Sequence, residues 1–214
     1  MIPWNFAQAA PTLLHGFLLY AGLVIAIGPQ NLFVLRQGLG RRHLLVTALL
    51  CTVADMSLIG ISVGGLGAAV AANQVFSAIA ALAGVAFLSC CGIGALRTAW
   101  GRQGTFAMEP ASTTALTLKG TIVAALGFTF LNPAAYVDTL LTVGTASSQY
   151  PLDERLVFGA GAIVASGLWF FALAYGASRL THLFHHPRAW QTLDVVSGCI
   201  MLGMAGALCA SQLM

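Results

Sequence analysis

Charged side chains cut this chain into long apolar stretches. No Asp, Glu, Lys or Arg occurs within 1–35, 56–96, 156–178 or 195–214. A helix needs about 20 residues to cross about 30 Å of hydrocarbon. The 41-residue stretch from Met56 to Leu96, about 60 Å long if helical, must therefore cross twice. Apolar windows between polar punctuation predict six helices, at about 13–34, 44–70, 75–97, 120–147, 156–179 and 191–212. The longest polar connection, 98–118, contains Gly and Pro that stop a helix and reads as a linker at the cytoplasmic interface. The predicted fold is an all-α integral membrane protein with six transmembrane helices, forming one domain over 1–214.

Composition agrees with this pattern. Of the 214 residues, 58% are hydrophobic and 7% charged, against roughly a quarter charged in soluble domains, which excludes a soluble globular protein. The nine Lys and Arg residues also fix an orientation. Arg36, Arg41, Arg42, Arg97, Arg102, Lys119, Arg179 and Arg188 fall on one side of the predicted spans, and only Arg155 falls on the other. By the positive-inside rule the eight face the cytoplasm and both termini face outward. No basic cluster is large enough to bind nucleic acid. The five cysteines lie in apolar runs without CxxC spacing and read as small buried hydrophobes. The N-terminus has no basic segment and its apolar run continues into a long span, unlike a cleaved signal peptide.

The chain repeats itself. Gly16 and Gly28-Pro29 in the first span align without a gap with Gly120 and Asn132-Pro133 in the fourth, at an offset of 104 residues. Gly84, Leu88 and Gly92 match Gly198, Leu202 and Gly206 at an offset of 114. Two halves of three spans each follow, about 1–100 and 119–214. An odd number of spans turns the second half upside down, as in the inverted repeats of many secondary transporters. Pro29 and Pro133 should break the first helix of each half, and paired breaks mark a substrate site because helix ends present bare NH and C=O groups.

Asp55 lies about eleven residues into the second span, near mid-bilayer, where an ionised carboxylate costs several kcal/mol unless it faces a polar interior. Asp138 lies five residues beyond Pro133, with Tyr136 and Thr139 nearby. Two such acids without a Lys or Arg in the spans indicate a site for a cation; the alternative for each is a structural carboxylate bonded to neighbouring backbone or hydroxyls. Asp194, in the first turn of the sixth predicted span, reads as a favourable charge at a helix N-terminus. His182, His185 and His186 have helical spacing but no acidic or thiol companion, so no metal is predicted. No cofactor is predicted either. Trp169, Phe170 and Phe171 read as lipid contact or packing.

The segments GPQNLFVLRQG (28–38), LLCTVADMSLIG (49–60), GVAFLSCCGIGALRTAW (84–100) and LNPAAYVDTLLTVG (131–144) resemble the LysE/ArgO family of bacterial lysine and arginine exporters, along nearly the whole chain. The resemblance implies a compact six-helix protein of the bacterial inner membrane that exports basic amino acids. It carries over Asp55 and Asp138 as the important acids, and Gly28–Asn31 and Asn132–Pro133 as the signature breaks. One departure stands out: this chain has Ala134 where members of the branch often have His after the second Asn-Pro.

Together these readings assign the cationic groups of the substrate, or one of them and a proton, to Asp55 and Asp138. Asn31, Asn132 and the helix ends at the breaks take the α-carboxylate, and Gln30 and Tyr136 complete the site. The chain has no nucleotide-binding motif, so an ion gradient is the expected drive. Expelling a +1 molecule from a cell negative inside costs about 2.3 kcal/mol per 100 mV, which one-for-one proton antiport through Asp55 avoids. The partners expected are a basic amino acid, protons and the bilayer, and the layout is compatible with a homodimer. The alternatives are efflux of a neutral amino acid or a cation by the same fold. A membrane thiol oxidoreductase would need facing cysteines, and Cys90 and Cys91 are adjacent in one helix.

Overall fold

Gly28 and Pro29 interrupt the first apolar stretch. α1 (Phe6–Val24) ends ahead of them, and α2 (Pro29–Leu39) starts on the proline, whose missing N–H has no intrahelical partner to lose at that position. The two helices bend by 80° at the break. A turn with positive φ at Arg41 and His43 leads into α3 (Leu44–Val63). Then come α4 (Gln74–Gly101), α5 (Leu118–Phe130), a π-helical segment (Tyr136–Val143) continuing as α6 (Gly144–Ser148), α7 (Leu152–Arg179) and α8 (Pro187–Leu213). The computed structural model describes residues 6–26, 28–65, 74–101, 117–132, 135–181 and 187–213, and these contain no strand. Pro133, Ala134, most of the 98–118 connection, and His182, His185 and His186 lie outside the described residues.

Four helices among the described residues are long and apolar enough to cross a membrane, at Leu44–Val63, Ala81–Trp100, Leu152–Arg179 and Arg188–Ala210. The bent pair α1–α2 is a fifth candidate when its two helices are taken together, and its contacts with α7 follow one order. They advance in step along both chains, Thr12 with Glu154, Gly16 with Phe158, Asn31 with Trp169 and Leu39 with Thr181. The pair therefore follows α7 in the same chain direction, from Glu154 to Thr181. α7 permits this through a face of small buried residues including Gly161, Ala162, Ala165 and Ala174. A Cβ on Gly161 would run into the Leu13 carbonyl oxygen, and one on Gly16 into that of Phe158. Backbone thus meets backbone, the close approach that small residues allow between membrane helices.

α3 packs antiparallel on the same helix, with Thr52 by Gly167, Asp55 by Ser166 and Val63 by Gly159. α5, 13 residues long and capped by the Thr117 hydroxyl, lies with the π segment along α3, where the Ser62 hydroxyl donates to the Thr139 carbonyl at 3.0 Å. α4 and α8 pack on each other antiparallel. Gly92 makes room for Leu202, and Gly198 makes room for Leu96. Gly92 and Gly198 thus lie against each other.

Candidate functional site

A cavity of about 150 Å³ opens where α1 and α2 part. Gly28, Gln30 and Asn31 line it from the break, Tyr20 from α1, Asp55 from α3, and Asn132 and Thr139 from either side of the second interruption. Five of the residues singled out in the sequence, Gly28, Gln30, Asn31, Asp55 and Asn132, are thereby brought together from three segments, the outermost of them 104 residues apart. Phe170 and Met204 close the cavity with apolar surface.

Asp55 is the twelfth residue of α3, about 16 Å along a helix about 30 Å long. Its carboxyl is 4% exposed, and donors compensate the burial. The Tyr20 hydroxyl donates to Oδ2 at 2.7 Å and the Ser166 hydroxyl at 2.9 Å. Among the described residues, Oδ1 receives only the long contact from Gln30 Nε2 at 3.5 Å, so this oxygen keeps capacity for a further donor. Asp55 is the one acid among the described side chains lining the cavity.

Asn31 does a different job. The helix break leaves carbonyls at the end of α1 without amide partners, and the Asn31 side chain supplies them. Its Nδ2 donates to Val24 O and Ala26 O, both at 2.7 Å, while its Oδ1 accepts from the Trp169 indole N–H at 3.0 Å. Both amide hydrogens are thus committed to carbonyls. The second break repeats the solution with another side chain: the Tyr136 hydroxyl donates to Phe130 O at 2.6 Å. Phe130 lies 104 residues beyond Ala26, so equivalent carbonyls in the aligned segments are both met by the element that follows the break. Pro29 is buried at the start of α2. Asp138 falls in the π segment, a rare helix form that is frequent at functional sites. Its side chain and Pro133 are outside the described residues.

Three partners went unread in the sequence. Tyr20, Ser166 and Trp169 look like ordinary residues of apolar helices, and only a hydroxyl on the small-residue face of α7 hinted at Ser166. Trp169 is a hydrogen-bond donor to the break and so does more than contact lipid or pack, whereas Phe170 packs in the buried core and also lines the cavity. Phe171 stacks on Tyr175.

Asp194 also needs correction. α8 starts at Pro187, so Asp194 sits in its eighth position, past the first turn, and is 2% exposed. It forms an ion pair with Arg36, 3.0 Å from Nη2. Arg36 in turn belongs to the last turn of α2 and not to the loop after it. Of the cysteines, Cys51 is buried, whereas Cys90, Cys199 and Cys209 are exposed on their helices. Among the described residues no cluster of His, Cys, Asp or Glu would hold a metal.

The sequence pattern of the LysE type translocators matches residues 21–212. The chain is 42% identical over 205 residues to a protein of Aeromonas salmonicida named "Putative amino-acid transporter YggA", covering 94% of this chain and 98% of that one. It is 40% identical over 183 residues to "Putative amino-acid transporter Rv0488" of Mycobacterium tuberculosis, covering 86% and 89%. No solved structure matches.

Proposed function

The chain belongs to the LysE type translocator family of multi-pass membrane amino-acid transporters, and on that premise we propose that it exports basic L-amino acids, arginine or lysine, by proton antiport. The observation that carries the reading is Asp55, a buried carboxylate at mid-helix that lines a cavity built at a helix break. The cationic side chain of the substrate docks on Oδ1. The α-carboxylate turns to the first turn of α2, where Gln30 and Asn31 carry amide groups with no partner one turn back and the helix dipole favours negative charge. Asn132 lines the same cavity and completes the polar contacts, and Asp138 is the second acid. The Asn31 side chain serves by holding the end of α1 rather than by donating to the substrate.

In this reading α5, the π segment and α6 make a sixth crossing, and the halves 1–100 and 119–214 are an inverted repeat. Supporting it, the interrupted pair α1–α2 lies along α7 while α5 and the π segment lie along α3, so each broken element lies on the middle helix of the other half. The reciprocal Gly92–Leu202 and Gly198–Leu96 contacts fit the same symmetry. The protein sits in the bacterial inner membrane with both termini periplasmic. A cysteine at Arg41 should then be shielded from impermeant reagents outside intact cells.

The substrate leaves as a cation and a proton returns through Asp55, so the exchange is electrically neutral and escapes the membrane potential. Proteoliposomes loaded with labelled arginine or lysine test this. An inward proton gradient at zero voltage should accelerate efflux and alkalinise the outside medium. Efflux that ignores the pH gradient and follows sodium, or concentration alone, refutes the coupling.

A further inference from the structure

α2 and α8 meet along a seam that starts at the cavity. Gln30 of α2 and Met204 of α8 line the cavity, and Met201 shares one buried apolar cluster with Leu32, Phe33 and Val34. Arg36 stands six residues beyond Gln30, about 9 Å along the helix axis, and Asp194 ten residues from Met204, about 15 Å. Their ion pair therefore lies across the seam, at the end of the molecule where Arg41 reaches the Ser178 carbonyl and Thr181 reaches that of Leu39.

We propose that the Arg36–Asp194 ion pair is the gate between the cavity and this end of the protein, and that transport requires it to part. As a fastener the pair is a poor choice. Taking both charges out of water offsets most of their mutual attraction, and apolar side chains of similar size hold buried contacts at least as well. As a gate it is well suited, because water entering the opened seam rehydrates both charges. Closed and open states then lie close in free energy, whereas an apolar pair favours closure alone. α2 has the means to move: it is an 11-residue helix set off by an 80° bend at Gly28, which has open space around its Cα. Breaking the pair removes one tie between this end of α2 and α8 while Asn31 keeps the cavity end attached to α1.

Two measurements on the full-length protein test this. In a cysteine-free background carrying Ala135→Cys, which lines the cavity, a membrane-impermeant thiol reagent is applied from each face of oriented vesicles without substrate. Arg36→Gln and Asp194→Asn should each raise the labelling rate from the gated face at least tenfold, and the charge swap R36D/D194R should return it to within threefold of the parent. Separately, the apolar double variant R36M/D194L should insert and unfold at the parent's temperature or above it. Its export of whichever amino acid the parent moves should fall more than tenfold. Parent-like labelling in both single variants overturns the proposal, as does parent-like export by R36M/D194L. The labelling uses no substrate and the export arm no fixed one, so both outcomes are independent of whether the cargo is basic.

Discussion

Asn31→Ala is the sharpest probe of how the helix break is held. The substitution removes two donors, each 2.7 Å from a carbonyl of the α1 end, and the acceptor of the Trp169 N–H at 3.0 Å. Leaving a buried polar group unsatisfied costs about 1–3 kcal/mol, so three orphaned groups would cost about 3–9 kcal/mol. The adjacent cavity of about 150 Å³ has room for several waters that can take over some of these bonds. The lower end, about 3 kcal/mol, is therefore expected. For a chain of this length that corresponds to a fall in melting temperature of about 6–12 °C, read by thermal unfolding in detergent. Asn31→Asp keeps the shape but replaces both hydrogens with a second oxygen facing Val24 O and Ala26 O, so it should be worse than Ala. A melting temperature within 2 °C of the parent for Asn31→Ala, or Asn31→Asp more stable than Asn31→Ala, would refute the reasoning.

Gly161→Leu should cost at least about 3 kcal/mol, because the obstructing atom is the Leu13 backbone carbonyl, whereas Gly176→Leu on the same helix, with nothing within 4 Å, should leave folded yield unchanged in size-exclusion chromatography. His43→Gly should raise the melting temperature by about 2–4 °C, since the left-handed backbone at φ 48 costs a side chain about 1 kcal/mol that glycine does not pay. Trp169→Phe keeps the ring and removes the bond to Asn31, so thermal unfolding should show a loss of about 1 kcal/mol while membrane insertion is retained.

The first break was legible because a proline acts locally: the missing N–H of Pro29 limits the helix whatever the surroundings. Asp55 was legible because a carboxylate deep in an apolar stretch has few other uses. What surrounds them was not. Tyr20 and Ser166 reach Asp55 from 35 and 111 residues away, and Trp169 reaches Asn31 from 138, so no local spacing announces them. The end of the first span was misjudged for a related reason. Arg36 reads as the charge that closes an apolar stretch, yet α2 carries it inward to Asp194 and runs on to Leu39. Asp194 looked like a helix-end charge only because the sixth span was expected to start at about 191, four residues after α8 begins at Pro187.

The role of Asp55 as receptor of a cationic side chain is tested most directly by equilibrium binding of arginine and of citrulline, its neutral isostere, to the purified protein and to Asp55→Asn. The two ligands differ at the group that would meet Oδ1 and are otherwise nearly the same in shape. The parent should bind arginine at least tenfold more tightly than citrulline, a difference of about 1.4 kcal/mol, and Asp55→Asn should lose that preference while remaining folded. Equal binding of the two ligands by the parent, or an arginine preference that survives in Asp55→Asn, would contradict it.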